Sequence, residues 1–210
     1  MAGIARSRNP SAAGAKAAPR WLALLRGINV GRGPRLAMGD WRVLLEGLGF
    51  ANVRTLLTSG NVVFTGVGRA ADIAGRIQRA LAEQRGLRLQ VIVKSADEVA
   101  AIVAGNRLDP LLARGGDASR LLVAVAADST TLQALADLEA SVRPPDRWWL
   151  GDQALYLWCP EGVHASHAAS VLLGRRGAAL TTRNWATWVK IAALFGSSEP
   201  APAIAAGPRP

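Results

Sequence analysis

The sequence contains a single cysteine, Cys159, among its 210 residues. One cysteine excludes an internal disulfide and any metal site built from several cysteines, and it is typical of proteins in a reducing cytoplasm. No apolar run approaches the roughly 18 residues that a membrane-spanning helix requires. We therefore expect a cytoplasmic protein that does not enter a membrane.

Acidic residues are also scarce, because 15 Asp and Glu stand against 25 Lys and Arg and leave a formal net charge of +10. Without the charges near the two termini, the body of the chain retains about +7. This excess favours anionic partners such as nucleic acid, nucleotides or phosphorylated metabolites. Because 22 of the 25 cations are arginine, the base composition of the genome explains the charge equally well, and both explanations stay open.

Signatures of known catalytic sites are missing as well. The chain has no Gly-x-Ser-x-Gly elbow and no pair of carboxylates at a telling spacing. His164 and His167 have a helical spacing that suits a shared metal ion, but only Glu161 and Cys159 lie close enough in sequence to complete the ligands. Cys159 falls among aromatic strand residues, which favours packing over a nucleophilic role. The sequence therefore predicts no metal and indicates neither a cofactor nor a reaction.

Apolar periodicity divides the chain into two halves with the same order of elements. In the first half, strands are predicted at 21–27, 53–66 (a hairpin) and 89–93, and helices at 37–48, 70–86 and 95–103. In the second half, strands are predicted at 120–127, 146–159 (a hairpin) and 178–182, and helices at 129–141, 164–175 and 184–196. Each half contains β-α-β-β-α-β, which is the ferredoxin-like arrangement of an antiparallel sheet with helices packed on it.

We therefore expect an α+β fold of two ferredoxin-like units, and the repeated order indicates internal duplication. The first unit is predicted at 20–105 and the second at 119–197, joined by a linker at 106–118 that is rich in turn-forming residues. Residues 1–19 and 198–210 have the composition of disordered tails.

Polar residues concentrate on three predicted loops that can face one another across a cleft, where ligand sites usually form. The candidate ligand-binding residues are Arg26, Gly27, Asn29 and Gly31 after the first strand, Ser59 and Asn61 in the first hairpin, and Thr182, Arg183 and Asn184 before the last helix. The first loop matches neither a Walker A loop nor a dinucleotide fingerprint. A glycine-rich turn that opens a helix still favours anions through its exposed amides. In the alternative, Gly27 and Gly31 only permit positive φ and the arginines are solvated.

The segment before the last helix poses a similar question. Thr182 or Asn184 is expected to cap the helix. Arg183 is expected in its first turn, where a cation is unfavourable beside the positive end of the helix dipole. A bound anion would remove this conflict, and a structural salt bridge to Asp40 or Glu46 would remove it equally well.

Aromatic residues offer little support for RNA binding by the predicted sheets. Ferredoxin-like RNA-binding sheets carry aromatic residues on their central strands, and in the first hairpin only Phe64 is of this kind. The second hairpin is richer in aromatic residues but lacks an arginine-glycine-aromatic motif. Trp185 and Trp188 are better explained as core packing than as a shelf for stacked bases.

Three short motifs carry a family resemblance. LLRGINVG (24–31), SGNVVF (59–64) and TTRNW (181–185), in this order and at these separations, resemble the bacterial family catalogued as domain of unknown function 1697. The resemblance extends from Trp21 to Phe195 and implies a duplicated α/β fold without an established activity. The chain departs from the family pattern at Arg32, which precedes Gly33, and at Ala186 and Trp188 in the closing motif.

Two functions from different classes follow from these residues. The first is a non-catalytic module that binds an anionic ligand, either a nucleotide-like small molecule or nucleic acid. The second is a small enzyme for a phosphorylated or carboxylated metabolite, with the arginines as an electrostatic clamp and Ser59 or Thr182 in proton handling. In both cases Arg26, Asn29, Ser59, Asn61 and Arg183 are predicted to converge on one cleft.

Overall fold

The computed structural model describes residues 18–108, 112 and 115–196. The tails predicted at 1–19 and 198–210 lie almost entirely outside these residues, as does part of the predicted linker. The described chain forms two four-stranded antiparallel sheets with helices packed on them. The predicted α+β fold class is confirmed.

The first unit contains four strands and three helices. The strands are β1 (Arg20–Leu25), β2 (Ala51–Leu56), β3 (Asn61–Thr65) and β4 (Val91–Ser95), and the helices are α1 (Met38–Gly47), α2 (Ala70–Arg85) and α3 (Ala96–Ala104). The sheet order is β2-β3-β1-β4. A reciprocal capping box begins α3, because Ser95 Oγ accepts from Glu98 N while a Glu98 carboxylate oxygen accepts from Ser95 N.

The second unit repeats this plan with shorter helices. Its strands are β5 (Leu121–Ala126), β6 (Arg147–Leu150), β7 (Leu155–Trp158) and β8 (Leu180–Asn184), and its α-helices are α4 (Ser129–Gln133), α5 (His167–Leu173) and α6 (Trp185–Gly196). Two 3-10 helices cover Ala118–Arg120 and Ala136–Ser141. The sheet order β6-β7-β5-β8 is the order of the first sheet, so both units have ferredoxin-like topology.

The helix predicted at 129–141 is wrong in its extent. It divides into α4 and the 3-10 helix Ala136–Ser141, and its cap is Asp128, whose carboxylate accepts from Thr131 N at 2.8 Å. The successive β-branched residues Thr130 and Thr131 are weak helix formers. The helix predicted at 164–175 is also shorter, since Ser166 caps it by accepting from Ala169 N at 2.9 Å.

Both faces of each sheet contribute buried residues to a core, although the edge strands β2 and β6 are largely half-buried or exposed. Helices α1 and α2 cover one face of the first sheet, and α4, α5 and Ala136–Ser141 cover one face of the second. The remaining faces share a single core with α3 and α6, to which Leu24 of β1, Val123 of β5 and Trp188 of α6 all belong. Trp185 and Trp188 are therefore core residues, as predicted. The two units pack as one body on a common apolar layer.

Candidate functional site

Arg183 lies on an edge strand and not in the first turn of the last helix, which corrects the prediction. Strand β8 continues to Asn184 because Arg183 pairs with Val123 and Asn184 pairs with Leu122 in the antiparallel ladder. Asn184 then caps α6 by accepting from Thr187 N at 2.9 Å. The conflict between Arg183 and the helix dipole therefore does not arise.

The Arg183 guanidinium donates through all five of its N–H groups, partly within β8 and partly across to the first unit. Its Nε donates to Asn61 Oδ1 (2.6 Å), its Nη1 to Thr181 Oγ1 and Thr182 O (both 2.9 Å), and its Nη2 to Leu25 O and Ser59 O (both 2.7 Å). Three of these acceptors belong to the first unit. The three family-like motifs therefore meet at this one side chain.

None of these acceptors carries a charge. The carboxylates expected to pair with Arg183 are engaged elsewhere, Asp40 with Arg85 at 3.1 Å and Glu46 with Arg42 at 2.7 Å. Burial lowers the pKa of Arg183 to about 10, so the guanidinium keeps its proton at neutral pH. Among the described residues, no carboxylate forms a salt bridge with Arg183, and its positive charge is stabilised by dipoles alone.

Arg26 makes a second connection between the units. Its Nη1 donates to the carbonyl oxygens of Gly177 and Leu180, which lie just before and at the start of β8. Gln90 adds a bond from its Nε2 to Ala179 O at 2.8 Å. The side chains of the first unit thus hold the chain that enters β8, while Arg183 holds the end of β1 in return.

Asn29 ties the loop after β1 to the tip of the first hairpin, which we define as residues 57–60. It adopts a left-handed φ of +58°. Its Nδ2 donates to Thr58 O (2.7 Å) and Leu36 O (2.8 Å), and its Oδ1 accepts from Leu36 N (2.9 Å). These bonds use the side chain's two donors, so in this structure Asn29 organises the loop. Gly27 and Gly31 also have positive φ, +67° and +50°.

Gly60 allows the hairpin tip to approach the loop closely. Its φ is +77°, and a Cβ at this position would lie 2.7 Å from Leu25 Cβ and 2.8 Å from Ile28 Cγ2. Real Cβ atoms do not approach other carbons so closely, so any other residue would displace the tip. The backbone bond from Leu25 N to Gly60 O (3.1 Å) forms across this contact.

A pocket of about 420 Å³ opens between the loop and the hairpin tip. It is lined by Asn29, Arg35, Leu36, Ala37, Met38 and Thr58. The lining includes the start of α1, where the N-cap residue Ala37 has no side chain that could accept from the first-turn N–H groups. Arg35 on the same wall is exposed.

The candidate residues therefore divide into two groups. Of the nine, only Asn29 lines the pocket, whereas Arg26, Arg183, Asn61 and the backbone of Ser59 form hydrogen bonds that join the units or brace the hairpin. Arg35 and Thr58 line the pocket but were not among the candidates. The signal that could have indicated this wall is a helix start with alanine at the cap position, after Pro34-Arg35.

The other groups singled out in the sequence lie away from this pocket. Cys159 is fully buried, and burial raises the pKa of its thiol. Among the described residues, no three His, Cys, Asp or Glu side chains cluster as metal ligands would. None of the described helices has the length and apolar character needed to cross a bilayer.

The comparisons with known proteins support the fold, and the family match covers the first two motifs, at 24–31 and 59–64. The structure of the conserved bacterial protein SP0830 from Streptococcus pneumoniae is similar at a TM-score of 0.69 and 20% identity, over 85% of this chain and 99% of that one. At this identity the similarity shows the fold alone. No curated protein sequence matches the chain. A family described as "protein of unknown function (DUF1697)" matches residues 19–156, and the chain belongs to this family.

Proposed function

We propose that this protein is a cytoplasmic binding module for a small organic anion of the nucleotide-like kind, held in the pocket beside α1. The observation that carries the proposal is the pocket itself. Its volume of about 420 Å³ falls within the roughly 300–1,000 Å³ typical of small-molecule sites. A cytoplasmic location fits the single, buried cysteine.

One wall of the pocket suits a negatively charged group. The first-turn N–H groups of α1 carry partial positive charge and no side chain caps them. Arg35 lines the same wall, and its Nη2 donates to Gly31 O. Asp40 in the first turn is neutralised by its pairing with Arg85 at 3.1 Å, so it opposes an anion only weakly.

The other unit supports this assignment by contrast. Helix α4 occupies in the second unit the place of α1 in the first, and Asp128 caps it with a carboxylate 2.8 Å from Thr131 N. If the units arose by duplication, as we propose, the second copy caps its helix with the carboxylate of Asp128. The other copy has Ala37 there and leaves the amides open to a ligand.

Three of the residues that line the pocket are apolar, which favours an organic anion over a simple ion. These residues are Leu36, Ala37 and Met38, and they would pack against a base or another apolar portion of the ligand. A nucleic-acid strand is less favoured, because both faces of each sheet are covered within the described chain and leave no platform for stacked bases.

The enzymatic alternative loses its electrostatic clamp. Arg26 and Arg183, which were to grip the substrate, donate instead to protein carbonyls and to Asn61. Their positions therefore favour a structural role over contact with a reacting group. The enzymatic alternative is therefore left without the clamp that it was given, and the binding proposal rests on the pocket beside α1 and not on these two arginines.

Isothermal titration with adenosine monophosphate tests the proposal. At a nucleotide concentration a hundred times the dissociation constant, binding should also raise the free energy of unfolding by roughly 2.7 kcal/mol. The affinity should depend weakly on salt, whereas a bound oligonucleotide would lose affinity steeply as salt rises. No binding of the nucleotide would refute the proposal, and a steep salt dependence with oligonucleotides would replace it with nucleic-acid binding.

A pair of capping variants localises the site. Ala37→Asp supplies a carboxylate to the amides of α1, so it should stabilise the fold by about 0.5–2 kcal/mol and weaken nucleotide binding by about tenfold. Arg69→Ser is the matched control, because Arg69 is the N-cap of α2 and also makes no side-chain cap bond. It should leave the affinity unchanged. Equal affinities in both variants would place the ligand elsewhere.

A further inference from the structure

The hairpin tip that forms one wall of the pocket is held by a residue of the other unit. Arg183 Nη2 bridges Leu25 O and Ser59 O at 2.7 Å each, and its Nε holds Asn61 Oδ1 at 2.6 Å. Ser59 follows Thr58, which lines the pocket. Arg183 thus contacts the residue that directly follows the pocket-lining Thr58 in the sequence.

From this contact we propose that Arg183 is a positioning residue for the ligand pocket: it does not touch the ligand but sets the place of Thr58. The inference rests on the proposed function. The pocket wall of the first unit is then positioned in part by a side chain of the second unit. The interface between the units becomes part of the binding machinery.

The hairpin tip needs an external hold because its backbone is not relaxed. Leu57 has a φ of +57°, a region that side chains other than glycine and asparagine rarely adopt. The Leu57 side chain is 47% exposed, so packing does little to hold it in this conformation. The bonds from Arg183 to Ser59 O and Asn61 therefore add to the bonds from Asn29 to Thr58 O and from Leu25 N to Gly60 O that hold this segment.

Positioning the hairpin tip requires the planar guanidinium group, whose N–H donors point in several directions. Its donors reach Leu25 O, Ser59 O and Asn61 Oδ1 in different directions and at the same time. A lysine has one nitrogen on a flexible stem and does not reproduce a planar, multiply bonded fork. Arg183→Lys therefore keeps the charge and removes the positioning.

Arg20 provides a matched control. It also joins the units, since its guanidinium donates to Leu194 O and Phe195 O at the end of α6. It lies at the start of β1, five residues from Leu25 and so roughly 17 Å along the strand. Its bonds do not involve the hairpin tip.

The experiment compares Arg183→Lys with Arg20→Lys by titration with adenosine monophosphate, in buffer and at a temperature where circular dichroism shows both variants folded. We expect Arg183→Lys to lose about tenfold in affinity, a factor typical of coupling between sites, and Arg20→Lys to stay near the wild type. Wild-type affinity in Arg183→Lys would overturn the positioning role and leave the proposed function standing. Failure of the wild type to bind would overturn the proposed function itself.

A measurement on the wild-type protein decides the matter if Arg183→Lys does not fold. Coupling is reciprocal, so saturating nucleotide should slow solvent exchange of the Arg183 Nε–H in NMR spectra. The Arg20 Nε–H should not respond. Slowed exchange at Arg183 alone supports the proposal, and an equal response at both arginines, or none, overturns it.

Discussion

Replacing Arg183 by methionine should destabilise the protein strongly, although arginine substitutions on protein surfaces cost at most about 1 kcal/mol. Methionine fills much of the same space, so the change chiefly removes the five hydrogen bonds of the guanidinium. At roughly 1.5 kcal/mol for each bond to a charged group, the loss is roughly 7 kcal/mol.

A gain offsets part of this loss. Burial lowers the pKa of Arg183 to about 10, which means that the charged guanidinium carries a desolvation penalty in the folded state. Methionine removes this penalty. We therefore expect a smaller net loss of about 4 kcal/mol, which is comparable to breaking a buried polar network.

Urea unfolding followed by far-ultraviolet circular dichroism measures this change. Arg79→Met is the control, because Arg79 is an exposed residue of α2, and its loss should stay within about 0.5 kcal/mol. The midpoint should fall in Arg183→Met with little change in the slope, since the shared core keeps the units cooperative. A loss below about 1 kcal/mol in Arg183→Met would refute the view that this guanidinium joins the units.

Three further predictions concern single residues near the site or at the start of α3. Gly60→Ala should lower the free energy of unfolding by about 2–4 kcal/mol in thermal unfolding, because the added Cβ would clash with Leu25. Gly86→Ala is the control: Gly86 also has a positive φ, +64°, but open space around it, so the loss should be about 1 kcal/mol. Equal losses in the two variants would contradict the clash. Leu57→Asn should raise the melting temperature by a few degrees, since asparagine tolerates positive φ, and a lower value would contradict the strain. For Glu98, burial alone would raise the pKa, but hydrogen bonds from Ser95 and the contact with Lys94 outweigh it and lower the pKa. Its stabilising effect should therefore be present above about pH 4.5 and be lost as pH falls through the lower folded value, so that wild type and Glu98→Gln differ in urea at pH 7 and converge near pH 3.

The fold was predictable because each element carries a periodic pattern of apolar residues. Runs of β-forming residues joined at turn residues indicated the two hairpins, and helical spacing of apolar residues indicated α1 and α2. The errors fall where local and tertiary preferences compete. The pattern at 129–141 is continuous, yet Asp128 and the β-branched residues after it favour a short helix followed by a 3-10 turn.

The predicted end of β8 was wrong for a related reason. The run Thr181, Thr182, Arg183 and Asn184 contains a good helix cap, and this placed the boundary two residues too early. The strand continues because pairing with β5 satisfies its backbone through Asn184. Pairing partners far apart in sequence leave no local signal.

The sequence predicts where the candidate residues lie, but not what each side chain binds. The topology brings the end of β1 and the first hairpin tip close to β8 of the other unit, and the three motifs supply arginine and asparagine at this point. What Arg26 and Arg183 bind, however, is chiefly backbone carbonyl oxygen, and every residue has one. A sequence shows which side chains can donate hydrogen bonds, but it does not show which backbone carbonyl oxygens accept them, because every residue has such an oxygen.

This explains why the family-like motifs and the pocket lie side by side but do not coincide. The motifs supply side chains that each unit extends into the backbone of the other, and the shared core requires such a junction where its apolar layer ends. The pocket wall is formed by what the junction holds in place, namely Thr58 and the loop from Asn29 to Met38. A ligand bound there would contact residues outside the strongest motif positions, while Arg183 would act on it only through the hairpin tip. The ligand specificity of such a protein would therefore vary with the loop while the junction stayed the same.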